Sequence, residues 1–282
     1  MITFFRRRGL GNTSCREMAR IINEGLGGEA RVVRNDDPSV ITSGDTVVRW
    51  GCTSTIPARD VTVINRAAAI HKCNDKTGTR MLLQAAGVPT PKTWVSFDEW
   101  IADVVGYGCF PVVVRPSTHS RGRSLLHTND SSEVEQFLIR HGGGYISEYI
   151  PKVREVRVFV ANGRAVWVAE KTPGNPQDVA WNVDQGGRFD NVKWSEWPMP
   201  AVRAAVAASH VIGTDFAGVD VMLDADNNPY VLELNSAPSQ TSPYRQLCSA
   251  KAFKWMHDHP GEALLIVTEG GWKEYIHPAI RS

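Results

Sequence analysis

The chain has 282 residues, 42% of them hydrophobic and 22% charged, with 31 basic and 30 acidic side chains and a formal net charge of +1. This is the composition of an ordinary globular protein with room for more than one lobe. It supplies no bulk attraction to nucleic acid or to an anionic membrane, and Arg6-Arg7-Arg8 is too short a basic run to change that.

Cys15, Cys52, Cys73, Cys109 and Cys248 are odd in number, scattered and never in a CxxC pair, which speaks against a disulfide framework or a zinc site. No apolar run has the length of a membrane span, and the Arg triplet is not followed by the apolar stretch of a secretory signal. The expectation is a cytoplasmic protein with small-molecule partners, without nucleic acid or membrane, and with a homo-oligomer left open.

In chain order, a strand Ile2 to Phe5, a loop to Asn12, a helix from about Thr13 to Glu24 and strands near Ala30 to Arg34 and Thr46 to Trp50 spell a small α/β unit. Gly9-Leu10-Gly11-Asn12-Thr13-Ser14 imitates a dinucleotide fingerprint, but Ser14 replaces its third glycine. A tight turn at Gly11, with free N–H groups at the helix start, is the better reading. Arg49 to Thr53 either ends a strand structurally or lines the same cleft, and the structural reading is preferred.

A helix beginning at Asp75 and Lys76 runs to Ala86, where Gly87, Pro89 and Pro91 stop it. A helix Phe97 to Val105 and a strand Pro111 to Arg115 follow, then a hydroxyl-rich loop through Gly122 into the strand Ser124 to His127. Such a loop either folds over phosphates or is a surface hairpin. After a helix Ser132 to Arg140, the strand from Tyr145 ends in Glu148-Tyr149-Ile150 before Pro151 breaks it. Its exposed N–H and C=O groups suit the edge of a nucleobase, with an ordinary strand end as the alternative. Asn162-Gly163 then turns a hairpin, Arg157 to Val160 and Arg164 to Glu170, that delivers Lys171 toward a phosphate. Helix Ala201 to Ile212 is Ala-rich and faces a core.

The most informative stretch is Gly218 to Asn235, two apolar runs joined by the polar segment Asp224 to Pro229. A turn centred between Asp226 and Asn227 sets Asp220 opposite Glu233, and period-two alternation puts Asn235 on the same face. One face then has three oxygen ligands of the kind magnesium takes, and a solvated edge hairpin is the competing reading. Calcium is discarded, because Pro229 and Asn235 stand where its loop needs Gly and Glu.

The order Lys76, Arg115 with its Gly122 loop, Glu148-Tyr149-Ile150, Glu155, Lys171, Asp220, Glu233 and Asn235 resembles the ATP-grasp superfamily, from about Asn74 to Thr241. The metal segment and hinge resemble those of D-alanine ligases and of the glutamate ligases that modify ribosomal protein S6. The resemblance implies an α/β (α+β) chain of the ATP-grasp fold, two α+β lobes gripping ATP after a small Rossmann-like domain. The expected division is 1–70, 71–165, 166–250 and a tail 251–282 that covers the C-terminal lobe or mediates self-association.

By the same resemblance Lys76, Arg115 and Lys171 would hold ATP phosphates under the Gly122 loop. Glu148, Tyr149 and Ile150 would bind adenine, Glu155 the ribose, and Asp220, Glu233 and Asn235 Mg2+, with Mn2+ as the alternative. Arg157, Asn182 and Arg188 would serve catalysis, the latter two from the segment Trp181 to Arg188 that matches the family's Asn-and-paired-Gly stretch. Two departures stand out. Arg115 replaces a common Lys, and Gly218 replaces the oxyanion Arg of D-alanine ligases. The implied activity is a carboxylate–amine ligase joining small-molecule or peptide substrates through an acylphosphate. A small-molecule kinase or a non-catalytic ATP-binding protein is the alternative.

Overall fold

The computed structural model describes residues 1–9, 11–107, 111–117, 124–175, 178–181 and 186–281, without the side chains of 105–107. Ile2–Arg6 (β1) is buried at every position, so both faces of that strand must be covered, as in a parallel sheet flanked by helices. With Asn12–Gly25 (α1), Ala30–Arg34 (β2), Thr46–Trp50 (β3) and Thr62–Ile64 (β4) it forms a parallel sheet of order β2-β1-β3-β4. Gly11 before α1 has φ +66°, and a Cβ there would lie 2.2 Å from Cδ1 of Trp50. Glycine is therefore required twice over, for the turn and for the close approach. Arg49 Nη1 donates to the carbonyls of Cys52 and Ser54 at 3.0 and 2.7 Å, which makes it a structural strand end.

Ala67–Asn74 (α2) and Lys76–Ala85 (α3) lead out of this sheet. The Asp75 carboxylate caps α3 by accepting from the Gly78 N–H. Thr93–Trp94 (β5), Phe97–Tyr107 (α4), Val112–Arg115 (β6), Leu126–Thr128 (β7), Ser131–Arg140 (α5) and Tyr145–Glu148 (β8) follow. Their strands form an antiparallel sheet of order β5-β8-β6-β7 over a separate core that includes Trp94, Trp100, Val114, Phe137 and Ile146.

Arg154–Ala161 (β9), Arg164–Thr172 (β10), Arg188–Asn191 (β11), Met199–Ile212 (α6), Phe216–Leu223 (β12), Pro229–Asn235 (β13) and Pro243–Asp258 (α7) complete the main body. The strands lie in the order β11-β10-β9-β12-β13, all antiparallel. Asn162 and Gly163 both have positive φ, as a two-residue hairpin demands. The β9–β10 hairpin lies wholly in this sheet, so the change of sheet falls between Glu148 and Arg154. The large core joins the five-stranded and the parallel sheets, and Phe4, Trp50, Phe216 and Phe253 meet in it ring to ring. Truncating Phe216 to Ala would cost about 3–5 kcal/mol by the cavity it leaves. Lys251 lies inside α7, whose Ala252 and Phe253 belong to that core, and the chain end returns to pair Ile276 with Ala165.

The β12–β13 hairpin pairs Asp220 with Glu233 and Gly218 with Asn235, but its turn is one residue shorter than the spacing suggests. Leu223 pairs with Pro229 and Val221 with Val231, which centres the turn on Asp226, and the register shifts between Asp220 and Val221. Leu232 is the extra residue of that bulge, and it restores the Asp220–Glu233 pairing. The turn is tightened by Asp224, whose carboxylate accepts from the N–H groups of Asp226 and Asn228.

Candidate functional site

Strand register assembles the site. One row across the five-stranded sheet runs Asn191, Ala169, Arg157, Asp220, Glu233. Arg157 Nε and Nη2 donate to the two Asp220 oxygens at 2.6 and 2.7 Å, a forked pair. Two residues before Arg157 on β9, on the same face, Glu155 is 3% exposed and accepts from both Lys152 and Lys171. Lys171 Nζ also stands 4.0 Å from Asp220 Oδ2. Burial works against its charge, yet Asp220 and Glu155 raise its pKa overall. Burial likewise opposes the Glu155 charge, and the two ammonium groups outweigh it, so its carboxyl sits below the usual range.

Glu233 accepts from Lys76 Nζ at 2.7 Å and from Asn235 Nδ2 at 3.2 Å. Burial alone would raise its pKa, but Lys76, Arg157 and Asn235 bring it down to about 2. Asp220, Glu233 and the Asn235 amide oxygen thus form a hard oxygen set with two carboxylates on one face, and cations already stand against both. That suits magnesium, which takes one or two carboxylates and fills its other positions with water and phosphate. Among the described residues no group of three His, Cys, Asp or Glu is arranged to hold a metal.

The opposing wall comes from α3 and the smaller sheet. Lys76 opens α3 and Arg80 follows one turn later. Arg115 ends β6 opposite Tyr145 of β8. The strand end Glu148 to Ile150 is less open than its sequence suggests. Glu148 accepts from the Lys92 N–H at 2.9 Å, the Tyr149 N–H donates to the Pro111 carbonyl at 3.1 Å, and the Ile150 carbonyl accepts from Lys152 N at 2.8 Å. The expectation of free backbone groups is corrected at those atoms, because β8 is an inner strand whose flanking segments pair with it.

Glu155, expected to meet ribose hydroxyls, is instead enclosed by two ammonium groups. Arg188 is not brought to the cluster: its side chain is 72% exposed on edge strand β11 and pairs with Asp190 at 3.0 Å. Asn182 and Gly122 lie outside the described residues. Sequence reasoning missed Lys152, Arg80 and Phe189. The Phe189 ring lies under Arg157 at 4.9 Å and Lys171 at 5.5 Å. Lys152 three residues before Glu155, and Arg80 one helical turn after Lys76, were the available signals. Gly218 has a steric reason, since a Cβ there would lie 2.9 Å from Pro238 Cβ and 3.3 Å from Arg157 Cδ. No larger side chain fits at that position.

Residues 73–254, which span both antiparallel sheets and most of α7, match the family model of the RimK-like ATP-grasp domain. The chain belongs to that family. A probable alpha-L-glutamate ligase of Aeromonas salmonicida (strain A449) is 31% identical over 184 residues, which cover 62% of this chain and 60% of the relative. The chain thus spans about 60% of the length of the curated relatives it matches. Among solved structures, the ATP-grasp ligase PsnB complexed with a phosphomimetic variant of its minimal precursor, Mg and ADP superposes with a TM-score of 0.64 at 13% identity, covering 91% of this chain and 98% of that one. The D-alanine–D-alanine ligase of Bacillus anthracis complexed with ATP gives 0.59 at 15% identity, with 92% and 98% covered. These likenesses show the ATP-grasp fold. In this RimK-like domain Lys76 of α3 reaches Glu233 of the five-stranded sheet, and the parallel N-terminal sheet lies outside the family match.

Proposed function

We propose that the chain is an ATP-dependent carboxylate–amine ligase that forms an amide through an acylphosphate and releases ADP and phosphate. The charge balance of the cleft carries this reading. Among the described residues, five cations, Lys76, Arg80, Lys152, Arg157 and Lys171, are linked by contact or electrostatics to three carboxylates, Glu155, Asp220 and Glu233, and a sixth cation, Arg115, acts on Arg80 and Lys152 as a like charge. A partly buried excess of positive charge is the complement of a polyphosphate. Family membership and the ligase names of the relatives support the same conclusion.

In this reading Lys76, Arg115 and Lys171 bind phosphate oxygens, and Asp220, Glu233 and Asn235 hold Mg2+, with Mn2+ as the alternative ion. Bound there, a divalent cation neutralises charge on the triphosphate. Glu155 keeps Lys152 and Lys171 in place, and the Lys152 ammonium lies 4.5 Å from the ring of Trp181, which covers this end of the cleft. Glu148, Tyr149 and Ile150 meet the adenine through the groups their own strand leaves available. Arg157, locked to Asp220, presents a fixed positive charge toward the transferring phosphoryl group, whose transfer depends on positioning and neutralisation. The attacking carboxylate needs no protein nucleophile. Arg188, exposed on the edge strand β11, and Asn182 keep the catalytic roles toward the acceptor that the family resemblance gives them.

The acceptor is an amino acid or peptide, as the glutamate-ligase name of the relative and the precursor-peptide complex of the structural neighbour suggest. The free, buried thiols of Cys15, Cys52, Cys73 and Cys248 accord with a cytoplasmic location. No described helix is long and apolar enough to cross a membrane.

The test is to incubate the protein with ATP, magnesium and pooled amino acids and peptides, following ADP, phosphate and condensed product by mass spectrometry. An amide product with ADP release, abolished in Glu233→Ala, is expected. A phosphoester product would replace the ligase by a kinase, and absence of ATP binding would overturn the proposal altogether.

A further inference from the structure

Arg80 lies one turn beyond Lys76 on α3, so both side chains leave the same helix face. It is 5% exposed, with its guanidinium carbon 5.4 Å from the centre of the Tyr145 ring, and Tyr145 faces Arg115 across the β6–β8 ladder. Nε and Nη1 are sealed from solvent and have no hydrogen-bond partner among the described residues. Burial pushes its pKa down; Tyr145 and Glu233 oppose that push and Arg115 adds to it.

A buried cation is costly unless it is paired and hydrogen-bonded. Glu233, the carboxylate whose charge reaches Arg80, is already engaged by Lys76 at 2.7 Å and also feels Arg157. Arg80 therefore has the like charge of Arg115 acting on it and, among the described residues, no acid paired with it.

We propose that Arg80 is a phosphate-positioning residue: from behind Tyr145 it reinforces the positive field of Arg115 and Lys76, and its counter-charge is the polyphosphate of the bound nucleotide. This rests on the ATP reading above. It implies that the nucleotide-free protein tolerates an unfavourable buried charge which binding relieves. Arg80 then serves affinity at the expense of stability, the reverse of a residue kept for packing.

The experiment compares thermal melts of the full chain and of Arg80→Met and Arg80→Lys, with and without inorganic tripolyphosphate and ATP-magnesium, together with KM and kcat. Arg80→Met is expected to melt at or above the wild-type temperature without ligand. It should bind tripolyphosphate about 10- to 100-fold more weakly, as for a lost charged contact, and raise KM for ATP more than it lowers kcat. Arg80→Lys should recover most of the affinity, because it keeps the charge. Were Arg80→Met to melt lower while keeping the full ligand-induced shift, Arg80 would be a packing residue and the proposal would fail. Equal loss in both variants would also overturn it, since charge would then not be the cause; if Arg80→Met does not fold, weak binding by a folded Arg80→Lys decides the same point. A wild-type protein stabilised by neither tripolyphosphate nor ATP would overturn the nucleotide reading itself, and that outcome is visible before any variant is compared.

Discussion

The two walls of the cleft are charged in different ways. On the five-stranded sheet every described buried charge of the cluster has a partner: Arg157 grips Asp220 with two hydrogen bonds, and Glu155 lies between Lys152 and Lys171. On the wall built from α3 and β6, Lys76 reaches across to Glu233, while two Arg80 nitrogens have no partner among the described residues. The first wall is complete in the free protein. On the proposed reading the second is completed by an anion between the walls, and a rigid sheet and a ligand-dependent surface then divide one site.

The contrast can be broken most sharply at Glu155. Its replacement by Gln leaves two buried ammonium groups without their acid and should destabilise the fold by about 3–5 kcal/mol in urea unfolding. A small change would mean that the first wall is not held by its charge pairs. Replacing Glu233 by Gln should lower ATP turnover by roughly 100-fold or more, the scale of losing one preorganised electrostatic group, while far-ultraviolet circular dichroism stays unchanged.

Acid titration sharpens the comparison in two windows. Glu233 is depressed from 4.5 to about 2, so its contribution is complete above pH 4.5 and is lost as pH falls through 2. His277, fully buried and far along the chain, is depressed from 6.5 to about 4, chiefly by burial. The unfolded chain takes up that proton first, so stability should fall by roughly 1.4 kcal/mol per pH unit from 6.5 toward 4. His277→Gln should flatten the upper window and leave the lower one in place. The smallest effect is expected at Arg188, whose exposed pair with Asp190 adds little to stability. Arg188→Ala should leave the melting temperature unchanged and alter only KM for the acceptor.

Legibility followed the range of the interaction. The strand pairing that sets Asp220 against Glu233 was readable because alternation and a turn are local properties, although the turn is one residue shorter and a bulge at Leu232 makes up the difference. Lys171 was readable for the same reason, delivered by the Asn162-Gly163 turn. The backbone partners of Glu148 and Tyr149 were not, because Lys92 and Pro111 reach them from segments far away in sequence. Gly218 looked like a missing functional arginine until Pro238 was seen against it. Lys152 and Arg80 passed unnoticed because a single basic residue near a loop or on a helix usually faces water, and burial is not written in its neighbours.

By itself the sequence determined most strands and helices of the walls, though not the short strand β5 or the edge strand β11, together with the shared face of Asp220, Glu233 and Asn235 and the turn chemistry that places them. These follow from periods of two and 3.6 residues and from the special conformations of Gly, Asn and Pro. Only the tertiary structure decided which charges are paired, that Glu155 is enclosed by two lysines, that Arg188 stays at the surface, and that Arg80 is buried with no acid paired to it among the described residues. Pair energies depend on distance and on exclusion of water, and both are set by segments that meet only when the sheets pack.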